Sequence, residues 1–135
     1  MALAGQYDLQ LKPMLRMELN GWQQDVGDTQ IEKINMSAVR KIVELITPTL
    51  ETDEAIDAFS PAQVDTGTFY GVRNQSGSLV SIAGTHLVSQ KHEIGCIGNV
   101  YTHSDYRGRG YARAATSAVI AALKESRIST IVLNV

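Results

Sequence analysis

A chain of 135 residues, 44% hydrophobic and 19% charged, is sized for a single globular domain over 1–135 that buries about two-thirds of its unfolded surface. Its formal net charge of −2 gives no overall attraction to nucleic acid, and no stretch approaches the ~18 apolar residues of a membrane span. One cysteine, Cys96, rules out an intrachain disulfide, and an N-terminus without basic or sustained apolar regions argues against a secretory signal, so the cytoplasm is the expected location.

Residues 6–11 and 15–20 alternate weakly and read as two short strands parted by Pro13, with Leu15, Met17 and Leu19 on one face of the second. Asn20-Gly21 then reads as a turn, Trp22 as a core or rim anchor, and 29–34 as an edge strand. Ser37 opens a helix whose Ala38, Ile42, Leu45 and Ile46 share a face, and Pro48 ends it. A second helical spacing covers 51–59 through Ala55, Ile56 and Phe59. Ser60-Pro61-Ala62-Gln63 follows as a capping box with proline at the first helical position.

From Thr68 the pattern turns to strands. Phe69, Tyr70 and Val72 form one, Asn74-Gln75-Ser76-Gly77 a hairpin turn, and 79–88 a longer strand in which Ala83-Gly84 implies a bulge or close packing. A polar loop through Gln90, Lys91 and His92 leads into a third strand over 93–102, giving an antiparallel meander. An Ala-rich helix begins at Tyr111 and carries Ala112, Ala115, Val119, Ile120 and Leu123 as its apolar stripe, with Lys124 and Arg127 near its C-terminus. A strand over 131–135 then lies parallel to 94–102 through a right-handed crossover. The expected class is α/β (α+β): a mixed, mostly antiparallel sheet flanked by helices, with a parallel strand–helix–strand unit at 93–135.

The chemistry concentrates where the third strand meets that helix. A strand, a turn with Gly108 and Gly110, and a helix N-terminus direct several backbone N–H groups into one space, where the helix dipole adds roughly half a positive charge. Glycines let an anion approach the backbone closely, and Arg107, Arg109 and Arg113 add formal charge. The stretch is therefore a phosphate or pyrophosphate cradle over 107–113. It lacks the Gly-x-x-x-x-Gly-Lys-Ser/Thr of a nucleotidase loop and the Gly-x-Gly-x-x-Gly of a dinucleotide fold. Arg107-Gly108-Arg109-Gly110-Tyr111-Ala112 instead resembles the Gln/Arg-x-x-Gly-x-Gly/Ala motif of the GNAT superfamily of acyl-CoA-dependent N-acetyltransferases. The resemblance extends upstream through 97–103 and more loosely to Phe69–Arg73. Ser104 stands where the family usually has proline.

The resemblance implies acetyl-CoA or another acyl-CoA as cofactor and direct acyl transfer to a primary amine, on a small molecule or a protein. Its pyrophosphate would lie on the amides of 108–113, and its pantetheine arm would pair with Val100, Tyr101 and Thr102 as an added strand. The thioester would then lie near Gly98–Val100. Glu93 and Asn99 are the candidates for catalysis on the strand, His92 and His103 are alternatives, and Tyr70 or Tyr101 could line the pocket. Cys96 reads as a buried small hydrophobe. Asp53, Glu54, Asp57 and Asp65 fall where family members border the acceptor, although a solvated helix face is the preferred reading of them. No metal site is expected. A complete GNAT domain continues past the strand equivalent to 130–135 into a helix and a hairpin, which in many members supply a tyrosine acid and an asparagine. The sequence ends at Val135, which would leave the last strand with an open edge: a second copy could pair there as a homodimer, and a shortened chain or a degenerate family member accounts for the ending equally. The alternative reading is a non-catalytic homologue that binds CoA or serves as an association module.

Overall fold

The computed structural model describes residues 15–16, 30–47 and 59–133. They form one six-stranded sheet with strands at Leu15–Arg16 (β1), Gln30–Lys33 (β2), Phe69–Arg73 (β3), Leu79–Ser89 (β4), Ile94–Thr102 (β5) and Thr130–Leu133 (β6). The spatial order is β1-β6-β5-β4-β3-β2, and every neighbouring pair is antiparallel except β5 and β6. Helices at Val39–Ile46 (α1), Pro61–Thr66 (α2) and Tyr111–Glu125 (α3) flank it. The meander, the edge strand before α1 and the parallel unit are as the sequence implies. No helix among the described residues is long and apolar enough to cross a membrane.

Two cores lie on the two faces of the sheet. Ala114, Ala115, Val119, Ile120 and Leu123 of α3 pack on Val72, Val80, Ala83, Ile97 and Ile131. Small residues in the first turns of α3 let its backbone come close to the sheet, which holds the helix N-terminus beside the end of β5. Ala112, expected in that stripe, instead lines the cleft described below. On the other face Ile42, Leu45 and Ile46 of α1 and Val64 of α2 bury Phe69 and Ile82. Gly84 shows the close packing expected of it: a Cβ there would stand 2.3 Å from the Phe69 ring.

Two features differ from the sequence reading. The first helix is capped by Asn35 rather than opened by Ser37. The Asn35 side chain accepts from the Ser37 N–H at 3.0 Å, which winds a 3-10 turn over Met36–Ala38 before α1 begins. The outer edge of β6, expected to stand bare, carries β1, with Leu15 opposite Leu133 and Arg16 opposite Val132. Long-range pairing of this kind leaves no local trace. The expected strand over 6–11, the rest of 15–20, Trp22 and the helix over 51–59 lie outside the described residues, apart from Phe59, which precedes α2.

Candidate functional site

β5 changes character along its length. From Ile94 to Ile97 it is paired with β4 on one side and β6 on the other. Beyond Ile97 the pairing with β6 stops, so the edge of Gly98–Thr102 facing that side has no strand partner among the described residues. On the β4 side Gly98 pairs with Gly84 and Tyr101 with Ile82, so β5 holds one more residue than β4 between these pairs. That is a bulge, and Asn99 takes it up at φ 51, a left-handed conformation that asparagine tolerates better than most residues.

The turn after β5 is built to open a helix. His103 Nδ1 accepts from the Asp105 N–H at 3.1 Å and starts a short 3-10 turn over Ser104–Tyr106. Arg107 Nε donates to the Thr102 carbonyl at 3.3 Å, and Asn74 Nδ2 donates to Tyr106 Oη at 2.9 Å, tying the turn to the β3–β4 hairpin. Gly108 at φ 76 and Gly110 at φ 80 then turn the chain into α3, whose first intrahelical bond runs from the Ala114 N–H to the Gly110 carbonyl. Gly110 is the N-cap and has no side chain with which to cap the Tyr111 and Ala112 amides. Nothing stands within 4 Å of where a Cβ would sit on Gly108 or Gly110, so the backbone is open to a ligand there.

The result is a cleft of about 400 Å³ lined by Val100, Tyr101, Thr102, Arg107, Gly108, Gly110, Tyr111, Ala112 and Arg113. Tyr106 lines it too and was not singled out from the sequence. Arg109, expected in the cradle, is not in this lining; its guanidinium lies 5.1 Å from the centre of the ring of Tyr106, at the edge of the cleft. Burial pushes the Tyr101 phenol above its ordinary pKa, so it remains a hydrogen-bond donor at neutral pH.

The other expected residues scatter. Glu93 sits on the turn before β5, and its carboxylate accepts from Ser129 Oγ at 3.2 Å. At about 3.3 Å per residue this is roughly 25–30 Å from the cradle, so the structure does not bring Glu93 to the cleft. His92 lies exposed on the same turn, His103 serves the 3-10 turn, and Tyr70 packs into the α3 core. Cys96 is half-buried rather than enclosed. Asp65 is exposed on α2, while Asp53, Glu54 and Asp57 fall outside the described residues.

A polar cluster that the sequence reading missed adjoins the bulge. Gln63, the third residue of α2, closes the capping box by accepting from the Ser60 N–H at 3.0 Å through Oε1. The same oxygen accepts from Asn99 Nδ2 at 3.1 Å, and Gln63 Nε2 lies 3.5 Å from His86 Nδ1. The His86 ring lies directly over Gly98: a Cβ on that glycine would stand 1.8 Å from Cδ2 and 1.9 Å from Nε2. Asn99 is 5% exposed, and its Oδ1 is buried with no hydrogen-bond partner, a state that costs about 1–3 kcal/mol. The capping box was legible, but nothing in the sequence shows that its glutamine also reaches the sheet. No group of three or more potential metal ligands occurs among the described residues.

The sequence profile described as the Acetyltransferase (GNAT) family matches residues 36–135. The chain belongs to the GNAT family. Among solved structures it is similar to a GNAT-family protein from Novosphingobium aromaticivorans, with 26% identity and a TM-score of 0.61 over 76% of this chain and 42% of that one. It thus spans less than half the length of that protein. Ribosomal-protein-alanine N-acetyltransferase from Brucella melitensis shares the fold at 20% identity and a TM-score of 0.61, covering 79% of each chain. Glucosamine-6-phosphate N-acetyltransferase from Arabidopsis thaliana does so at 18% identity and 0.60, covering 81% of this chain and 83% of that one. No curated protein matches the chain.

Proposed function

We propose that this GNAT domain is an N-acyltransferase that moves an acetyl or related acyl group from its CoA thioester directly to a primary amine. The observation that carries this reading is the edge of Gly98–Thr102, without a strand partner on the β6 side among the described residues, running into a helix N-terminus whose two glycines stand open. An extended amide-bearing arm fits such an edge, and a diphosphate fits such a helix end. When bound, acyl-CoA supplies an activated acyl thioester. The protein's part is to hold and orient. The Tyr111 and Ala112 amides would hold the diphosphate, with the dipole of a 15-residue helix behind them. The bulge at Asn99 leaves backbone polar groups outside the β4 ladder, and an N–H so placed suits negative charge developing on the acyl oxygen. Calorimetric titration with acetyl-CoA tests the cradle, and thiol release over a panel of amines tests turnover.

A second reading, a homologue that binds CoA without turnover, has one observation in its favour. Neither aspartate nor glutamate is among the described residues lining the cleft. Binding with no thiol release from any amine selects it; release with any amine removes it.

A further inference from the structure

We propose that His86 and Asn99, on the side of the β5 bulge facing α2, select acceptor amines that bear a nearby oxygen able to accept a hydrogen bond. The inference rests on the acyl-transfer reading above and goes beyond it by naming a substrate class and the residues that recognise it.

Hydrogen-bond sense carries the argument. The Ser60 backbone N–H can only donate, so the Gln63 atom 3.0 Å from it is the oxygen. The amide nitrogen of Gln63 then faces His86 Nδ1 at 3.5 Å. That nitrogen has only hydrogens to offer, so Nδ1 is the accepting nitrogen and, in the neutral ring, Nε2 bears the hydrogen. The Asn99 atom 3.1 Å from Gln63 Oε1 must likewise be the nitrogen, which leaves Asn99 Oδ1 turned away as an acceptor. One backbone N–H thus fixes the orientation of three side chains.

The outcome is a donor and an acceptor of fixed sense beside Gly98. His86 Nε2 lies against that glycine and makes no hydrogen bond among the described residues. Asn99 Oδ1 is buried and unpartnered. An amine N–H matches Oδ1, and an oxygen on the same molecule matches the ring N–H. Gln63, His86 and Asn99 include no carboxylate, so the cluster gives a second positive charge no favourable partner. The same logic counts against His86 as a base through Nε2. A free lone pair there requires Nδ1–H, which would set donor against donor at Gln63.

The test compares alaninamide and ethanolamine with propylamine and putrescine at saturating acetyl-CoA. The oxygen-bearing amines are expected to show kcat/KM about tenfold higher, the size of one well-made hydrogen bond. His86→Phe should bring that ratio close to one while the calorimetric Kd for acetyl-CoA stays the same, and His86→Gln, which keeps an N–H, should restore part of it. Asn99→Gly suits the positive φ and deletes Oδ1; it should raise KM for every amine about tenfold. Nitrogen-15 spectra of histidine-labelled protein should show the Nε2–H form for His86, with Nε2 shifting on titration with alaninamide and not with propylamine. Gln63→Glu offers Nδ1 a carboxylate oxygen, draws the hydrogen to Nδ1 and should lower kcat/KM for oxygen-bearing amines. A Nδ1–H ring in the wild type, equal kcat/KM across the four amines, or a rise on Gln63→Glu would overturn the proposal. The spectral titration needs neither cofactor nor turnover, so loss of acetyl-CoA binding alone would sink the cradle, whereas a silent Nε2 with thiol release intact would sink the acceptor assignment.

Discussion

From Ile94 to Ile97, β5 is hydrogen-bonded on both sides, to β4 and β6, whereas from Gly98 to Thr102 its only strand partner among the described residues is β4. The first half buries Ile97 to 1% exposure under α3 and carries no candidate chemistry. The second half holds a left-handed asparagine, an orphan carbonyl oxygen and a free edge. Each of these features is unfavourable in an isolated fold. Together they fit the proposed site, in which a ligand would supply the partners these groups lack, and the closed half keeps the open half in place.

Separating the two halves by mutation sharpens that comparison. The largest effect is expected from Ile97→Ala in the closed half: it should cost about 2–5 kcal/mol in urea unfolding, with acetyl-CoA affinity unchanged below the transition. Gly110→Asp at the open end should reverse the pattern. The new carboxylate faces the diphosphate, so affinity should fall by at least about 100-fold while circular dichroism stays that of the wild type. Unchanged affinity would remove the cradle. Gly98→Ala lies where the halves meet. Its Cβ would overlap the His86 ring, so it should cost about 1–3 kcal/mol of stability and raise the acceptor KM while sparing acetyl-CoA affinity. The smallest effect concerns Tyr101. Its phenol is raised by desolvation, so the folded state favours the protonated form, and that contribution is present below the ordinary tyrosine value and lost as pH rises through the higher folded one. Stability measured above about pH 10 should therefore fall more steeply in the wild type than in Tyr101→Phe.

What could be read from the residues follows the same division between near and far. Gly108, Gly110 and the Ala-rich start of α3 make a cradle within a few positions, so composition and spacing suffice to place it. The capping box at Ser60–Gln63 was equally plain. His86 was not, because its role arises when α2, β4 and β5 meet, and two offsets in the β4–β5 register, near Ala83 and His86, decide which side chains meet. An alternating pattern carries no mark of such offsets. Glu93 stands apart for a related reason: it lies on the turn just before β5, position along a strand is distance, and nearly the whole of β5 separates it from the cleft. The pairing of β1 with β6 joins residues more than a hundred positions apart, and no local signal announces it.

Gln63 belongs to the first turn of a helix only six residues long. A helix so short has little stability of its own, and segments of that kind open locally well below the global transition. When that turn frays, the amide that orients His86 and Asn99 is released, whereas the 15-residue helix behind the cradle stays wound. On the proposed reading, choice among amines and grip on the cofactor would therefore have separate melting points within one domain. On warming, the protein should become indiscriminate before it becomes empty.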